Sequence, residues 1–201
     1  MDSWLTVVIQ QITLYLLPVV VSMSVVCWVE SRFTQQPIPH PFFAITSRST
    51  WLPFFAAIFF TRGIIFSLAR PLRQGLTSTF IRFLTHLALC LIGFLLYTWS
   101  LAHQPPAGLP PIHHWWAKVF MFFNLCMVGT HLLPLPNFVL GEWLLRQPSP
   151  TRQHDARWFT ESRSLWLITL LAASPLMDLL LGGFMVFPIY EQMATLATHA
   201  L

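Results

Sequence analysis

LTVVIQQITLYLLPVVVSMSVVCWV, residues 5–29, is the longest uncharged run at the start of this chain. It holds 25 consecutive residues without a charged side chain, whereas a helix needs about 20 apolar residues to cross a bilayer. Comparable apolar runs follow at 83–102, 116–140 and 164–187. These runs predict an all-α, polytopic membrane protein with four transmembrane helices in a single integral membrane domain.

The composition favours the same class of protein. Of the 201 residues, 55% are apolar and 9% are charged, whereas soluble domains carry about 25% charged residues. Mean hydropathy is +0.63. This composition excludes a soluble globular domain, a disordered tail and a nucleic-acid-binding protein.

The distribution of positive charge predicts a topology. Six arginines lie between residues 32 and 82 and four between residues 146 and 163, whereas residues 1–4, 103–115 and 188–201 contain no Lys or Arg. Because Lys and Arg concentrate in cytoplasmic loops, the two arginine-rich segments are expected in the cytoplasm and the N-terminus outside. The expected location is a bacterial cytoplasmic (inner) membrane.

Residues 51–69 are apolar but are interrupted by Arg62. If this segment enters and leaves the membrane on one side, ten of the eleven positive residues share that side. A single crossing would separate the arginines at 70–82 from those at 32–48. The positive-inside rule favours a re-entrant, membrane-associated hairpin, and the crossing stays open as an alternative.

The stretch VFMFFNLCMVGTHLLPLPNFVLGEWLL, residues 119–145, joins an apolar run to a proline-rich end. It resembles the last core helix of the site-2 protease family of intramembrane zinc metalloproteases, whose pattern is Asn-x-x-Pro-x-Pro-x-x-Asp-Gly. His131 stands at the Asn position, and Pro134 and Pro136 match. Val139 or Leu140 stands where the zinc-binding Asp belongs, and the Gly matches only with a shift of one residue.

The first span resembles the helix that carries the family's His-Glu-x-x-His motif. In that register Ser22, Met23 and Val26 occupy the His, Glu and His positions. Zinc hydrolysis needs three N, O or S ligands, an open fourth position and a general base. The resemblance therefore implies a site-2-protease-like core without catalytic or metal-binding residues, and no cofactor.

An inactive relative of this family is expected to bind other membrane segments, as a subunit or adaptor of a membrane complex. Pro134, Pro136 and Asn137 are the residues predicted to line the groove in which active relatives hold an extended substrate. The expected partners are membrane lipids and a membrane protein.

Two other functions stay open. One is a divergent zinc metalloprotease whose ligands include His86 and His131, since an intramembrane histidine is a functional candidate. The other is a small proton-coupled transport subunit centred on Asp178, the acid that lies well inside a predicted span.

The remaining histidines and cysteines favour structural roles. His103, His113 and His114 cluster in a proline-rich loop, where interfacial histidines are more common than a surface metal site. The three cysteines lie in apolar runs, which predicts buried thiols rather than disulfides. They are Cys27, Cys90 and Cys126.

Overall fold

The computed structural model describes residues 3–38, 40, 42–68, 71–73, 75–105, 108–135, 137–146 and 161–199, and this part of the chain is helical without a strand. The α-helices are α1 Trp4–Thr34, α2 Arg48–Phe59, α3 Leu76–Ala102, α4 Ile112–Thr130, α5 Val139–Leu145, α6 Glu161–Ala173 and α7 Phe187–His199. A 3₁₀ turn spans Phe43–Ile45, and a π-helical segment, Asp178–Val186, leads directly into α7.

Within the described ranges, three helices are long and apolar enough to cross a membrane: Trp4–Thr34, Leu76–Ala102 and Asp178–His199. Large apolar side chains also point away from the protein, as Leu91 and Leu95 of α3 do with exposed fractions of 54% and 64%. Helices that are apolar on their outer faces are typical of membrane spans. The chain is therefore a helical membrane protein, as its composition predicts.

Helix α3 begins seven residues before the predicted span at 83–102. The predicted span begins only after Arg82 because a cation is costly inside a membrane span. In the structure, Arg82 is buried, and its Nε lies 4.0 Å from Oε2 of the fully buried Glu30 on α1. This partner from another helix allows the helix to continue through the charge.

The predicted span 116–140 is divided in the structure. Helix α4 ends at Thr130, and α5 begins only at Val139. Pro134 lies in the segment between them and has no N–H to donate to a helix. The helix is therefore completely broken near Pro134, where the sequence predicts one continuous span.

The predicted span 164–187 is also two elements. Helix α6 ends at Ala173, and the next long apolar helix covers 178–199. Pro175 removes a backbone donor, and its ring conflicts with the carbonyl four residues earlier. The apolar run continues through this break, which is why hydropathy alone did not reveal it.

Residues 48–68 form a hairpin. After helix α2, the chain returns in extended form to the start of that helix, where the N–H of Leu68 donates to the Ser49 carbonyl at 3.2 Å. The hydroxyl of Thr50 donates to the Leu68 carbonyl at 3.3 Å. The two ends of this segment are thus neighbours, which is the geometry that a re-entrant segment needs.

Arg62 lies at the tip of this hairpin and not with Arg48 at its base. The 12-residue helix α2 separates the two arginines by roughly 18 Å at 1.5 Å per residue. The Nε of Arg62 donates to the carbonyl of Ala173, the last residue of α6, at 2.8 Å. The structure therefore places Arg62 and Arg48 at opposite ends of α2.

The helices pack around α4. Helix α3 lies closely against α4 because Gly93 has no side chain; a Cβ there would lie 2.7 Å from the backbone nitrogen of Met121. Helix α1 contacts both α3 and α4, and α6 packs on α2. Small residues allow this close approach of membrane helices.

Candidate polar cluster and groove

A buried polar cluster joins α1, α3 and α4 in the bundle. Asn124 is its centre: its Oδ1 lies 2.9 Å from Nδ1 of His86, and its Nδ2 donates to Ser22 Oγ at 2.9 Å. The same Nδ2 also donates to the Phe120 carbonyl at 2.8 Å. Each side chain of the trio is at most 1% exposed, so these hydrogen bonds fix the positions of three helices in an apolar interior.

His131 lies beside this cluster. Its ring centroid is 6.3 Å from that of His86, and it meets the rings of Phe83 and Phe138 edge to face. The side chain is 3% exposed, and its Nδ1 has no hydrogen-bond partner within the described chain. A buried polar atom without a partner is costly, so this nitrogen marks a position at which a ligand would be stabilised.

The metal-binding candidates His86 and His131 are thus neighbours, but they are only two. A zinc site uses three or four ligands. Among the described residues, no group of three or more His, Cys, Asp or Glu side chains is close enough to hold a metal. The divergent-protease hypothesis would therefore need at least one further zinc ligand besides these two histidines.

The positions that resemble the protease motif have no zinc-binding chemistry. Ser22 bonds to Asn124, and Met23 and Val26 are fully buried apolar residues. Val139 and Leu140 begin α5. The structure places these two positions beside His131, since the N–H of Leu140 donates to the His131 carbonyl at 3.1 Å.

The loop between α4 and α5 is tightly organised. Asn137 takes a left-handed conformation with φ of 68°, and its N–H donates to Glu142 Oε1 at 3.1 Å. The N–H of Phe138 donates to the Leu135 carbonyl at 3.2 Å. Pro136 lies outside the described residues.

Gly141 closes this loop. A Cβ at Gly141 would overlap the backbone carbonyl group of Leu135, and nothing flexible could move aside. Glycine is therefore required here because the loop folds directly onto the first turn of α5.

A groove of about 490 Å³ opens beside this loop. We call it the His131 groove; its walls include Phe80 of α3, His131 and Leu132 after α4, and Val139, Leu140 and Trp143 of α5. Pro134 and Asn137 lie in the loop beside this groove and are not among its wall residues, and their predicted role in holding a membrane segment stays a prediction. Apart from His131 and a threonine, the walls are apolar.

Asp178 serves the hairpin. Its Oδ1 accepts the N–H of Ile64, in the extended return segment, at 2.7 Å. Further along that segment the N–H of Ser67 donates to Met127 Sδ of α4 at 3.4 Å. An extended chain has no internal hydrogen bonds, so side chains from α4 and the π-helix must satisfy it.

The segment that begins with Asp178 is itself unusual. Residues 178–186 are π-helical, and the N–H of Phe187 donates to the carbonyl of Gly182, five residues earlier. Gly182 is needed because the ring of Phe187 lies 2.5 Å from where its Cβ would be. π-Helical turns are rare and often occur at functional sites.

The histidines at the other end of α3 form a hydrogen-bonded cap. His114 is buried, and its Nδ1 lies 3.2 Å from Ser100 Oγ and 3.0 Å from Gln104 Nε2. His103 bonds through Nδ1 to the Trp99 carbonyl at 2.8 Å. These contacts agree with the structural interpretation of the histidine cluster.

The second buried polar group was not foreseen from the sequence. Glu30 accepts a hydrogen bond from the Ser78 hydroxyl and another from the Leu72 N–H at 3.2 Å, and it faces Arg82. The available signal is a lone acid, Glu30, two residues before Arg32 at the end of an apolar run. The group ties the chain before α3 to the end of α1.

The cysteines agree with their prediction. Cys27, Cys90 and Cys126 are all buried and free.

Comparison of the chain with protein-family models, curated proteins and solved structures finds no match.

Proposed function

We propose that this protein is a catalytically inactive, site-2-protease-like membrane protein that binds a segment of another membrane protein, as a subunit or adaptor. The observation that carries the proposal is the His131 groove, whose walls are apolar apart from Thr77 and His131, and His131 has a buried Nδ1 with no hydrogen-bond partner among the described residues. The proposed location is a bacterial cytoplasmic membrane, with the N-terminus outside.

The groove suits an unwound membrane segment. Such a segment exposes backbone N–H groups, which need acceptors because the hydrocarbon core offers no water. The Nδ1 of His131 would accept one of them, and Leu132, Val139 and Trp143 would contact apolar side chains. A regular helix has no free N–H in its interior and would leave the nitrogen unsatisfied.

The absence of catalysis follows from the residue types at the motif positions. Ser22, Met23 and Val26 supply neither the ligands nor the general base of zinc hydrolysis. The polar groups that are present, Asn124 and His86, bond to one another. A bound segment would therefore be held and not cleaved.

Photo-crosslinking in the native membrane tests this function. A photoreactive residue replaces Leu132 in the groove, and a matched control carries it at Leu95, which is 64% exposed on α3. We expect one dominant crosslink from position 132, mapping by mass spectrometry to an apolar segment of a single membrane protein, and no such product from position 95.

Substitutions of His131 test the role of the nitrogen. His131→Phe keeps the ring and removes the acceptor, so it is expected to lower the crosslink yield about tenfold, since one hydrogen bond is worth about 1.5 kcal/mol. His131→Asn keeps an acceptor and should preserve most of the yield. Equal yields from His131→Phe and the unmodified chain would contradict the proposal.

A divergent metalloprotease is the second candidate, favoured by the adjacent rings of His86 and His131. It predicts about one zinc per purified chain, lost in both His86→Ala and His131→Ala. Zinc analysis of the chain purified in mild detergent without chelators separates the candidates. Stoichiometric zinc that depends on both histidines would favour the enzyme.

A further inference from the structure

A second hollow, distinct from the His131 groove, lies at the end of the bundle where α1 ends and α3 begins. Its volume is about 320 Å³. Arg73 from the chain before α3 and Arg146 from the end of α5 both line it, together with Gln35, Thr34 and Thr77. We call it the arginine hollow.

The two arginines come from separate elements and meet at one concavity. Both are exposed, and within the described chain neither has a carboxylate within ion-pair distance. The other polar side chains that line the hollow, the three hydroxyls of Thr34, Thr77 and Ser78 and the amide of Gln35, are neutral. Two guanidinium groups converging on neutral donors match the oxygens of a phosphate group.

The start of α3 adds backbone donors to the same hollow. Gly75, which precedes α3, has φ of 121°, and a Cβ there would meet nothing within 4 Å. The N–H groups of the first turn of a helix have no partner within it and carry the positive end of its dipole. The first turn of α3 therefore adds to the preference for a bound anion that Arg73 and Arg146 establish.

Two described acids lie near the hollow, and they do not outweigh its arginines. Glu142, four residues before Arg146, accepts the N–H of Asn137 and is one charge against the two of Arg73 and Arg146. Glu30 is fully buried and accepts hydrogen bonds from Ser78 and from the Leu72 backbone, and its other oxygen faces Arg82. Its charge is balanced by Arg82 within the protein. Arg73 and Arg146 therefore set the sign of the potential in the hollow.

We propose that the arginine hollow binds the phosphate group of an anionic phospholipid. It lies where two membrane-spanning helices end, which is the depth of lipid headgroups. Phe33, which also lines the hollow, is 73% exposed, and this ring suits contact with an acyl chain rather than with water. Basic pockets between membrane helices recognise lipid headgroups in this way.

The test compares phosphatidylglycerol with phosphatidylcholine. The full chain is purified in a neutral detergent, each lipid is titrated in, and the unfolding temperature is recorded. We expect a saturable rise with phosphatidylglycerol alone. Each arginine replaced by Gln should weaken the apparent affinity about fivefold, so R73Q/R146Q should weaken it about 25-fold.

A charge-matched variant separates a site from diffuse attraction. R32Q/R48Q removes the same charge from two exposed arginines that do not line the hollow. It should keep an apparent affinity within about twofold of the unmodified chain. Equal weakening in the two double variants, or stabilisation by both lipids alike, would overturn the proposal.

Competition with inorganic phosphate distinguishes a phospholipid headgroup from free phosphate as the source of the bound phosphate group. At ionic strength matched with sodium chloride, phosphate should compete with phosphatidylglycerol in the unmodified chain. If phosphate stabilises the chain and the lipid does not, the lipid assignment is overturned. Because no variant here changes His131, failure of this proposal and failure of the groove proposal are read independently.

Discussion

At the residue scale, Gly141 decides whether the loop after α4 can close. Replacing it by Ala forces a methyl group into the Leu135 backbone, so Gly141→Ala should lower the free energy of unfolding by about 3 kcal/mol, the upper part of the range for overpacking. Thermal and denaturant unfolding of the purified chain measure this effect.

The matched control is Gly183→Ala, since a Cβ at Gly183 meets nothing within 4 Å. We expect this variant to unfold within about 0.5 kcal/mol of the unmodified chain. Equal stability of the two alanine variants would show that the loop can relax and that Gly141 is not required by packing.

Substitutions of Asp178 distinguish a structural role of its side chain from a role in proton transfer. Its Oδ1 accepts the Ile64 N–H, and Asn offers the same acceptor without a titrating group. Asp178→Asn should therefore change stability little, whereas Asp178→Ala should cost about 1–3 kcal/mol because the buried N–H loses its partner. Unfolding measurements on both variants provide the comparison.

A transport subunit centred on Asp178 predicts another pattern. Asn cannot carry a proton, so Asp178→Asn would abolish function while the protein stays folded. If Asp178→Asn is as unstable as Asp178→Ala, the hydrogen bond to Ile64 is not the reason that the acid is present.

At the scale of elements, three side-chain hydrogen bonds hold the tip of the hairpin 48–68: Trp4 donates to the Phe59 carbonyl, Asp178 accepts the Ile64 N–H, and Arg62 contacts α6. Arg62 donates to the Ala173 carbonyl, at the break between α6 and the π-helix. Arg62→Met keeps the length and removes the donor, so it should destabilise the chain by about 1.5–3 kcal/mol, the range for hydrogen bonds to charged groups. Unfolding and hydrogen exchange near residue 173 measure the loss.

The control for this variant is Arg48→Met at the base of the same hairpin, where the side chain is exposed. It removes the same charge and should change stability by less than about 0.5 kcal/mol. A loss as large as that of Arg62→Met would mean that net charge, and not the contact with α6, stabilises the hairpin.

The elements also show what sequence alone can predict. Hydropathy located α1 because a long apolar run is a local signal, whereas the hairpin was predicted from the distribution of arginines along the chain. It placed the start of α3 too late because the partner of Arg82 is Glu30, which lies on another helix. It missed the break at Pro175 because the residues on both sides of this proline are apolar and therefore form one continuous hydropathic run.

In the candidate site, too, local sequence signals could be predicted and contacts between distant segments could not. His86, His131 and Asp178 were recognised as polar residues inside apolar runs. Their partners, Asn124, Ser22 and the backbone of Ile64, were not, because these contacts depend on how distant segments pack. The groove walls of α3 and α5 likewise follow from tertiary packing.

At the scale of the whole molecule, the hairpin makes a prediction about sidedness. Thr46 and Thr77 flank the hairpin and are exposed, and Leu109 lies in the loop between α3 and α4 with 90% exposure. Single cysteines at 46 and 77 should react with an impermeant maleimide from one side of the membrane, and a cysteine at 109 from the other. The native cysteines are buried.

A single crossing by 51–69 would instead place positions 46 and 77 on opposite sides. Labelling of intact cells and of inverted vesicles decides between the two. The unlabelled native cysteines serve as the internal control, since reagent that reaches them indicates an unfolded chain.

The buried return segment of the hairpin has a consequence for biosynthesis. Ile64, Ile65, Phe66 and Ser67 are at most 1% exposed. The N–H of Ser67 donates to Met127, 60 positions later in the chain, and the N–H of Ile64 donates to Asp178, 114 positions later. When Ile64 and Ser67 leave the ribosome, these two acceptors have not been synthesised. The segment can therefore make its final hydrogen bonds only after Asp178 has been synthesised.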